Sequence, residues 1–369
     1  MNVSSSANLA EASALGSSSL SERLATIGKF IVDTPTLTQS VQFIRQCLDS
    51  HGCSSEGEIS FLLGESRAGK TTAIETLMLE LAQEIDGKFV SQRREPEGRA
   101  AGLMSVDKIT RDGVHRPVLA IGVPKAPTFK GLLADVLAAL GINLKSRATF
   151  VEQQSTICKQ LRGQQTKLLI FDEAQHISES GKNKEVYAAA DVFKILAKIS
   201  GVQILCVGLP HALDIKLANP QVRWIGGIER TILPLAVSAR PGSDLAILCT
   251  TFNAELPFNA PSQLCDPDVF VPLAIYCGGY EGRIATIVRL AARHAIRTNR
   301  NSLGKDCFAE FLREMRGVPD NLNPFLLQVG ELDDLPKRME EARKAEEREV
   351  AARLGSGARN GRAFAGAFG

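Results

Sequence analysis

The most constraining feature of this 369-residue chain is a short loop between an apolar run and a helix-prone segment. Residues 61–64 read Phe-Leu-Leu-Gly, and the following Glu-Ser-Arg-Ala-Gly-Lys-Thr-Thr completes the pattern GxxxxGK[ST] at every fixed position. A glycine-bounded loop can turn its backbone N–H groups inward around phosphate oxygens, and the N-terminus of the next helix favours anions. The pattern therefore predicts a strand, a phosphate-binding loop and a helix.

We expect this loop to hold ATP together with Mg²⁺. Lys70 would reach the β- and γ-phosphates, and the Thr71 hydroxyl would be a Mg²⁺ ligand. The alternative is a glycine-rich turn with an incidental lysine, but the apolar run before the loop and the helix after it favour the phosphate loop. The predicted nucleotide-binding residues are Gly64, Glu65, Ser66, Arg67, Ala68, Gly69, Lys70, Thr71 and Thr72.

A second motif, LLIFDEAQH, follows at residues 168–176. An apolar strand that delivers an Asp at its C-terminal end is how phosphate-loop enzymes hold the Mg²⁺ shell, so Asp172 is the expected second metal ligand. Glu173 would polarise the attacking water as general base. The alternative is an acidic pair that caps the next turn. With the upstream loop, the Asp-Glu pair predicts ATP hydrolysis.

Arginines near the γ-phosphate would stabilise the charge that develops during hydrolysis. Two regions offer them: Arg223 and Arg230 precede a Leu-Pro-Leu segment, and Arg283 begins a helix further along the chain. For each arginine, a solvated surface position is the alternative.

The pattern of apolar runs predicts four segments. From about residue 28, apolar strands alternate with helices, which favours an α/β phosphate-loop fold with a parallel sheet flanked by helices. From about residue 238 only helical patterns follow, which suggests a small all-α lid domain. The expected segments are a flexible Ser-rich N-terminus (1–27), the ATP-binding α/β domain (28–237), the helical lid (238–330), and a charged helix with a disordered tail (331–369).

Composition excludes several classes of protein. The net charge is only +2, so any nucleic acid must meet a local basic patch. The eight cysteines form no CxxC pair, so neither a disulfide framework nor a zinc site is expected, and Cys206 in an apolar run is expected to be a buried thiol. We find neither a signal-peptide pattern nor an apolar run long enough to cross a membrane, so we expect a cytoplasmic protein.

The order of these motifs resembles the AAA+ ATPases: GESRAGKT, LLIFDEAQH, a strand ending in VGLP, an arginine-bearing segment, and a helical lid with Gly-Arg. Within that group the chain looks most like the TniB/TnsC branch of bacterial transposition ATPases, with MuB as a functional relative. RPVLAIGVPKAPTFKGLLADVLAALGIN (residues 116–143), FDEAQHI and the late NPF (323–325) carry the narrower match. The resemblance covers about residues 28–330.

The resemblance implies an ATP-dependent regulator of DNA transposition. Such proteins oligomerise on double-stranded DNA as rings or filaments, largely independently of sequence, and recruit and activate a DDE-type transposase. A target-selector protein is a candidate further partner. Because nucleotide sites lie between subunits, Arg223 or Arg230 would be the finger supplied in trans, and Arg283 the lid arginine. Hydrolysis would reset the assembly.

The chain departs from the AAA+ pattern at the end of the strand CVGLP. Many AAA+ proteins place a polar residue there to orient the water, whereas this chain has Leu209. We therefore assign no residue to this sensor role and expect slow hydrolysis that DNA or a partner regulates.

Contacts to DNA are expected from basic residues after the strand that precedes Pro124. The candidates are Lys125, Lys130, Lys145 and Arg147. They would neutralise phosphates without reading bases. The alternative is that they are solvated residues at helix ends. Two other functions stay open: an ATP-bound switch that acts on protein partners, and an ATPase like the ExeA group.

Overall fold

The computed structural model describes residues 20–29, 33–92, 102–125, 127–142, 148–179, 183–219, 222–223 and 225–365. The chain divides into two compact units. The sheet unit comprises residues 33–233, and the helical unit comprises residues 1–32 and 234–369.

The sheet unit is built on a single sheet that has seven strands in the described residues. Its order is β2-β3-β4-β5-β6-β1-β7. The strands are β1 (Ile59–Gly64), β2 (Lys88–Gln92), β3 (Leu103–Thr110), β4 (Gly113–Gly122), β5 (Leu168–Asp172), β6 (Gln203–Gly208) and β7 (Glu229–Ile232). Strands β4, β5, β6, β1 and β7 are mutually parallel, as the alternation of strands and helices predicts. The carboxyl ends of these parallel strands therefore meet at one edge of the sheet.

The sheet is mixed rather than wholly parallel. Strand β2 pairs antiparallel with β3, and β3 pairs antiparallel with β4. The sequence patterns did not predict β2, β3 or β7. Strand β2 is short and largely exposed, and β7 has only four residues, so neither has the continuous apolar run that marks a central parallel strand.

Helices cover both faces of the sheet. They are α2 (Pro35–Asp49), α3 (Lys70–Glu84), α4 (Phe129–Ala139), α5 (Phe150–Gly163), α6 (Gln175–Ser178), α7 (Asn183–Ser200) and α8 (Asp214–Ala218). Several begin where a threonine oxygen accepts an N–H of the first turn: Thr34 for α2, Thr128 for α4 and Thr149 for α5. Gly141 follows α4 with φ +77°, the left-handed conformation in which glycine commonly ends a helix.

One continuous apolar core joins the sheet to α4, α5 and α7. Phe61 of β1, Phe171 of β5 and Phe193 of α7 are fully buried in it. The predicted burial of Cys206 is confirmed, because it is also fully buried on β6. This core contacts β1, β5 and β6, which pair with one another in parallel. The phosphate loop, Asp172 and Gly208 therefore lie at neighbouring strand ends.

The helical unit has its own core. Its helices are α1 (Leu20–Lys29), α9 (Asp244–Glu255), α10 (Pro267–Cys277), α11 (Glu281–Arg297), α12 (Lys305–Arg316), α13 (Val329–Leu332) and α14 (Leu335–Ala365). The predicted lid helices are therefore present. Helix α1 packs on α11 and buries Ile27 completely, so residues 20–27 are ordered in a segment that was expected to be flexible; residues 1–19 lie outside the described residues.

The two ends of the chain differ from the predicted segments in extent. The boundary between the units falls after Leu233 rather than after residue 237. Helix α14 includes the predicted charged helix and runs on to Ala365, through the Gly- and Arg-rich stretch that was expected to be disordered. Across the described ranges, we find no helix that is both long enough and apolar enough to cross a membrane.

Candidate nucleotide site

The loop after β1 adopts a conformation that depends on its glycines. Strand β1 ends at Gly64 and α3 begins at Lys70, as the motif predicts. Gly69 precedes the helix with φ +93°, a conformation that a residue with a Cβ adopts only with strain. Arg67 also has a positive φ of 61°, which is uncommon outside glycine and points to a constrained turn. Two positive φ values therefore shape the turn that leads into α3.

Lys70 lies inside this loop. The residue is only 8% exposed, and its Nζ donates to the carbonyl oxygens of Gly64 (2.7 Å) and Glu65 (2.9 Å). A buried ammonium is costly unless it is hydrogen-bonded, and the loop supplies the acceptors. The cation is thus held at the N-terminus of α3, where the helix dipole also favours a bound anion.

Asp172 reaches the same loop from β5. Strand β6 lies between β5 and β1, so the carboxyl ends of the three strands are neighbours. The Thr71 hydroxyl donates to Asp172 Oδ2 over 3.0 Å, which joins the two motifs directly. Burial raises the pKa of the Asp172 carboxyl above its usual value, and the negative charge of Glu173 raises it further.

This donor set fits a magnesium nucleotide. Carboxylate and hydroxyl oxygens are the ligands that Mg²⁺ prefers, and Asp172 and Thr71 offer one of each within hydrogen-bond distance. Lys70 offers the cation that a triphosphate requires. Bound Mg²⁺ would also offset the cost of burying the Asp172 charge. Residues predicted from two distant motifs therefore meet in one site.

Glu173 follows Asp172 in a strained conformation. Its φ is +57°, a value that non-glycine residues seldom adopt and that clusters at functional sites. Its backbone N–H donates to Asp172 Oδ1 over 2.9 Å, while its side chain is exposed. The carboxylate accepts a hydrogen bond from Gln175 Nε2. Gln175 belongs to the LLIFDEAQH motif, but the sequence pattern alone assigned it no role.

The three predicted arginines have different surroundings. Arg223 is exposed. Arg230 lies on β7 and donates to Gln39 Oε1 of α2 over 2.5 Å. Arg283 belongs to the helical unit, where its guanidinium lies 4.5 Å from the centre of the Tyr280 ring. The roles of these arginines as trans finger and lid arginine stay predictions.

Of the predicted DNA contacts, Lys125 and Lys130 are exposed. They lie between the end of β4 and the first turn of α4. Lys145 and Arg147 lie outside the described residues. The two described lysines are thus available to a large anionic partner.

Comparisons with known proteins agree with this architecture. Residues 53–215 match the family model described as AAA domain. The structure of Cdc6p from Pyrobaculum aerophilum is similar to this one, with a TM-score of 0.52 and 14% identity over 86% of this chain and 84% of that one. The Drosophila ORC bound to DNA gives a TM-score of 0.50 and 10% identity over 92% of this chain and 85% of that one. No curated protein sequence matches significantly.

The fold is therefore that of a phosphate-loop AAA+ protein, with a mostly parallel sheet between helices and a separate helical region. The phosphate loop and the Asp172–Glu173 pair both fall inside the matched AAA domain. The chain is accordingly an ATPase. Because the sequence identities to the solved structures are low, the similarity to them shows the fold alone.

Proposed function

We propose that this chain is an ATP-dependent, DNA-binding regulator of DNA transposition in the bacterial cytoplasm. It assembles on target DNA as a homo-oligomer, recruits and activates a DDE-type transposase, and resets the assembly by ATP hydrolysis. The observation that supports the ATP-dependent part is the hydrogen bond between Thr71 and Asp172, which brings residues of two distant motifs together. The transposition part rests on the resemblance of residues 116–143, FDEAQHI and NPF to the TniB/TnsC branch.

Each residue of the site has a separate task in hydrolysis. Asp172 and Thr71 would hold Mg²⁺, which would neutralise charge on the phosphates. Lys70 and the loop N–H groups bind the β- and γ-phosphates. Glu173 takes a proton from the attacking water and is the group whose loss should stop turnover without stopping ATP binding. An arginine of a neighbouring subunit stabilises the transition state.

Double-stranded DNA is the partner to test first. The Drosophila ORC, whose fold is similar, is bound to DNA in its structure. Lys125 and Lys130 are exposed here and can pair with phosphates, which would give binding without base recognition. The net charge of +2 is too small for the whole surface to bind DNA, so a local patch is required.

The test measures DNA binding by the purified chain with ATP, with a slowly hydrolysed analogue and without nucleotide, across a salt series, with particle size read in parallel. We expect analogue-dependent, salt-sensitive binding to DNA of arbitrary sequence, with growth into large oligomers. Lys70→Ala should abolish the nucleotide dependence. The double variant Lys125→Ala/Lys130→Ala should flatten the salt slope by about 0.9 for each DNA phosphate that is no longer neutralised, whereas Lys337→Ala, an exposed lysine of α14, should not.

Nucleotide binding without DNA-linked assembly would overturn the DNA-binding proposal and leave the ATPase in place. The chain would then be a switch that acts on protein partners, as in the ExeA-like alternative. DNA-linked assembly in which a DDE-type transposase gains no activity would instead reject the transposition role alone.

A further inference from the structure

The side-chain amide of Gln175 connects the two sides of the nucleotide site. The residue is only 3% exposed, at the start of α6. Its Nε2 donates to Glu173 Oε2, and its Oε1 accepts the backbone N–H of Leu209 over 3.1 Å. One amide therefore joins the exposed carboxylate after β5 to the backbone that leaves β6.

The end of β6 has the space that this amide needs. Gly208 is the last residue of the strand, and a Cβ there would lie 2.5 Å from Gln175 Oε1 and 3.1 Å from the Gln175 backbone nitrogen. Any larger residue would have to displace the amide. Next to it, Leu209 offers no polar side chain toward the nucleotide. The polar group at this end of β6 is thus supplied by Gln175.

Hydrogen bonds of the two residues beside Gln175 fix the position of its backbone. Ala174 N donates to Val207 O over 2.9 Å, which extends the β5–β6 pairing beyond the strand. His176 Nδ1 donates to Val123 O over 2.8 Å, which ties the next residue to the exit of β4. Gln175 is therefore held on both sides, and its side chain has little freedom. A fixed amide can orient a neighbouring carboxylate that solvent alone would leave mobile.

We infer that Gln175 is the positioning residue for Glu173 and takes the place of the missing polar residue at the end of β6. The amide donates to the carboxylate and accepts from the backbone N–H of Leu209, so it joins Glu173 to the backbone that follows β6. The inference rests on the proposed role of Glu173 as general base. It gives Gln175 no contact with the nucleotide and predicts an effect on the chemical step alone.

Two variants of similar size test the inference. Gln175→Leu removes both hydrogen bonds, and Gln175→Glu keeps an acceptor for Leu209 N–H but sets a second carboxylate against Glu173. For both we expect kcat to fall by about 100-fold, the loss that misplacement of a reacting group by about 1 Å can cause. The affinity for ATP and the KM should stay at the wild-type value, because Lys70, Thr71 and Asp172 are untouched.

Gln203→Leu is the matched control. Gln203 is also a buried amide of β6, 2% exposed, and it bridges Glu58 N–H and the Ser50 carbonyl at the opposite end of the strand. Its loss should lower the midpoint of unfolding and leave kcat per folded molecule unchanged. If Gln175→Leu does not fold, Gln175→Glu, with one of the two bonds kept, decides the question by the same comparison.

A double-mutant cycle separates positioning from a structural role. Adding Gln175→Leu to Glu173→Gln should leave the residual turnover within about twofold, because Gln175 is proposed to act only through the carboxylate that Glu173→Gln has already removed. A further fall equal to that of the single variant would show that Gln175 acts independently of Glu173 and would overturn the inference. So would wild-type kcat in both Gln175 variants while Glu173→Gln is inactive. If Glu173→Gln itself hydrolyses ATP normally, the general-base assignment fails first.

Discussion

At the scale of single residues, the site depends on polar groups that are buried and satisfied by specific partners. Lys70 is held by two loop carbonyls, and the buried Asp172 carboxylate accepts from Thr71 and from the Glu173 N–H. An unpaired group of either kind would cost several kcal/mol, so the two motifs stabilise each other's geometry. This mutual dependence explains why residues 101 positions apart form one site.

The surroundings of the arginines favour Arg223 over Arg230 as the finger supplied to a neighbouring subunit. Arg230 already donates to Gln39 of its own subunit, whereas Arg223 is exposed. We predict that Arg223→Ala lowers kcat by about 10³-fold or more, the usual contribution of such a finger. Arg230→Ala, the matched control, should change kcat far less.

Mixing two inactive variants tests whether Arg223 acts in trans. Arg223→Ala subunits keep Glu173, and Glu173→Gln subunits keep Arg223. Random pairing across head-to-tail interfaces should rebuild about a quarter of the sites and restore turnover to that extent. Steady-state ATPase assays of the separate and mixed proteins measure this. No recovery on mixing would place Arg223 in its own subunit's site or outside the site altogether.

At the scale of elements, Arg116 fastens the antiparallel extension of the sheet to the helices beside it. Its guanidinium forms two 2.7 Å hydrogen bonds to Asp107 of β3. It also donates to the Ala139 carbonyl at the end of α4 and to Gln164 Oε1 just after α5, each over 3.0 Å. Strand β4, from which Arg116 projects, is thereby tied to three neighbouring elements. The pair is mostly buried, which sets it apart from the exposed ion pairs of the molecule.

We predict that Asp107→Asn destabilises the sheet unit by about 1–3 kcal/mol, because it leaves a mostly buried guanidinium without its charged partner. Chemical denaturation at neutral pH measures this. Glu84→Gln is the control: Glu84 also accepts two bonds from one arginine, Arg45, but it is half exposed, so its loss should cost at most about 1 kcal/mol. Equal losses in the two variants would contradict the expected effect of burial.

The Asp107–Arg116 pair should also make the free energy of unfolding depend on pH. Burial by itself raises the pKa of Asp107, but the hydrogen bonds from Arg116, a contribution from Ser105 and the positive charge of Arg116 together outweigh it, so the folded-state pKa lies below the usual value. A lowered carboxylate pKa contributes stability above the unfolded-state value of about 3.9, and this contribution is lost as the pH falls through the folded-state pKa. The difference in unfolding free energy between wild type and Asp107→Asn should therefore shrink below about pH 4.

At the scale of the whole molecule, the helical unit is completed by the start of the chain. Helix α1 packs on α11, Arg23 Nε donates to the Pro257 carbonyl over 3.0 Å, and the Arg23 guanidinium lies over the Phe258 ring. The chain begins in the helical unit, builds the sheet unit from residue 33 to residue 233, and then returns. Helix α1 therefore belongs to the core of the helical unit, although it is separated in the sequence from the other helices of that unit.

We predict that Ile27→Ala destabilises the helical unit by about 2–4 kcal/mol, because it opens a cavity at a fully buried position. Hydrogen exchange should show faster exchange of the α11 amides, which α1 contacts, and unchanged exchange of β1 and β5. Thr26→Ala, at the exposed neighbouring position, is the control and should cost less than about 0.5 kcal/mol. Equal protection of α11 in the two variants would mean that α1 is not part of this core.

The sequence by itself determined the features whose causes are local in the chain. The phosphate loop, the strand before it and the helix after it follow from the glycines and from the apolar pattern of residues 61–78. The strand that ends in Asp172 follows in the same way from its continuous apolar run. The helices of the second unit follow from their helical apolar patterns, and the structure shows Ser243 and Gly278 as caps of two of them.

Only the tertiary structure decided the features that join distant segments. Gln175 accepts from Leu209, 34 residues away, and Arg23 donates to Pro257, 234 residues away. The local sequence around Gln175 or Arg23 does not indicate which distant residue it will contact. Strands β2 and β7 were missed for the same reason, because a short edge strand is stabilised by the neighbour with which it pairs. A local pattern records which face of an element is buried, but the identity of the group that covers this face is a property of the folded chain.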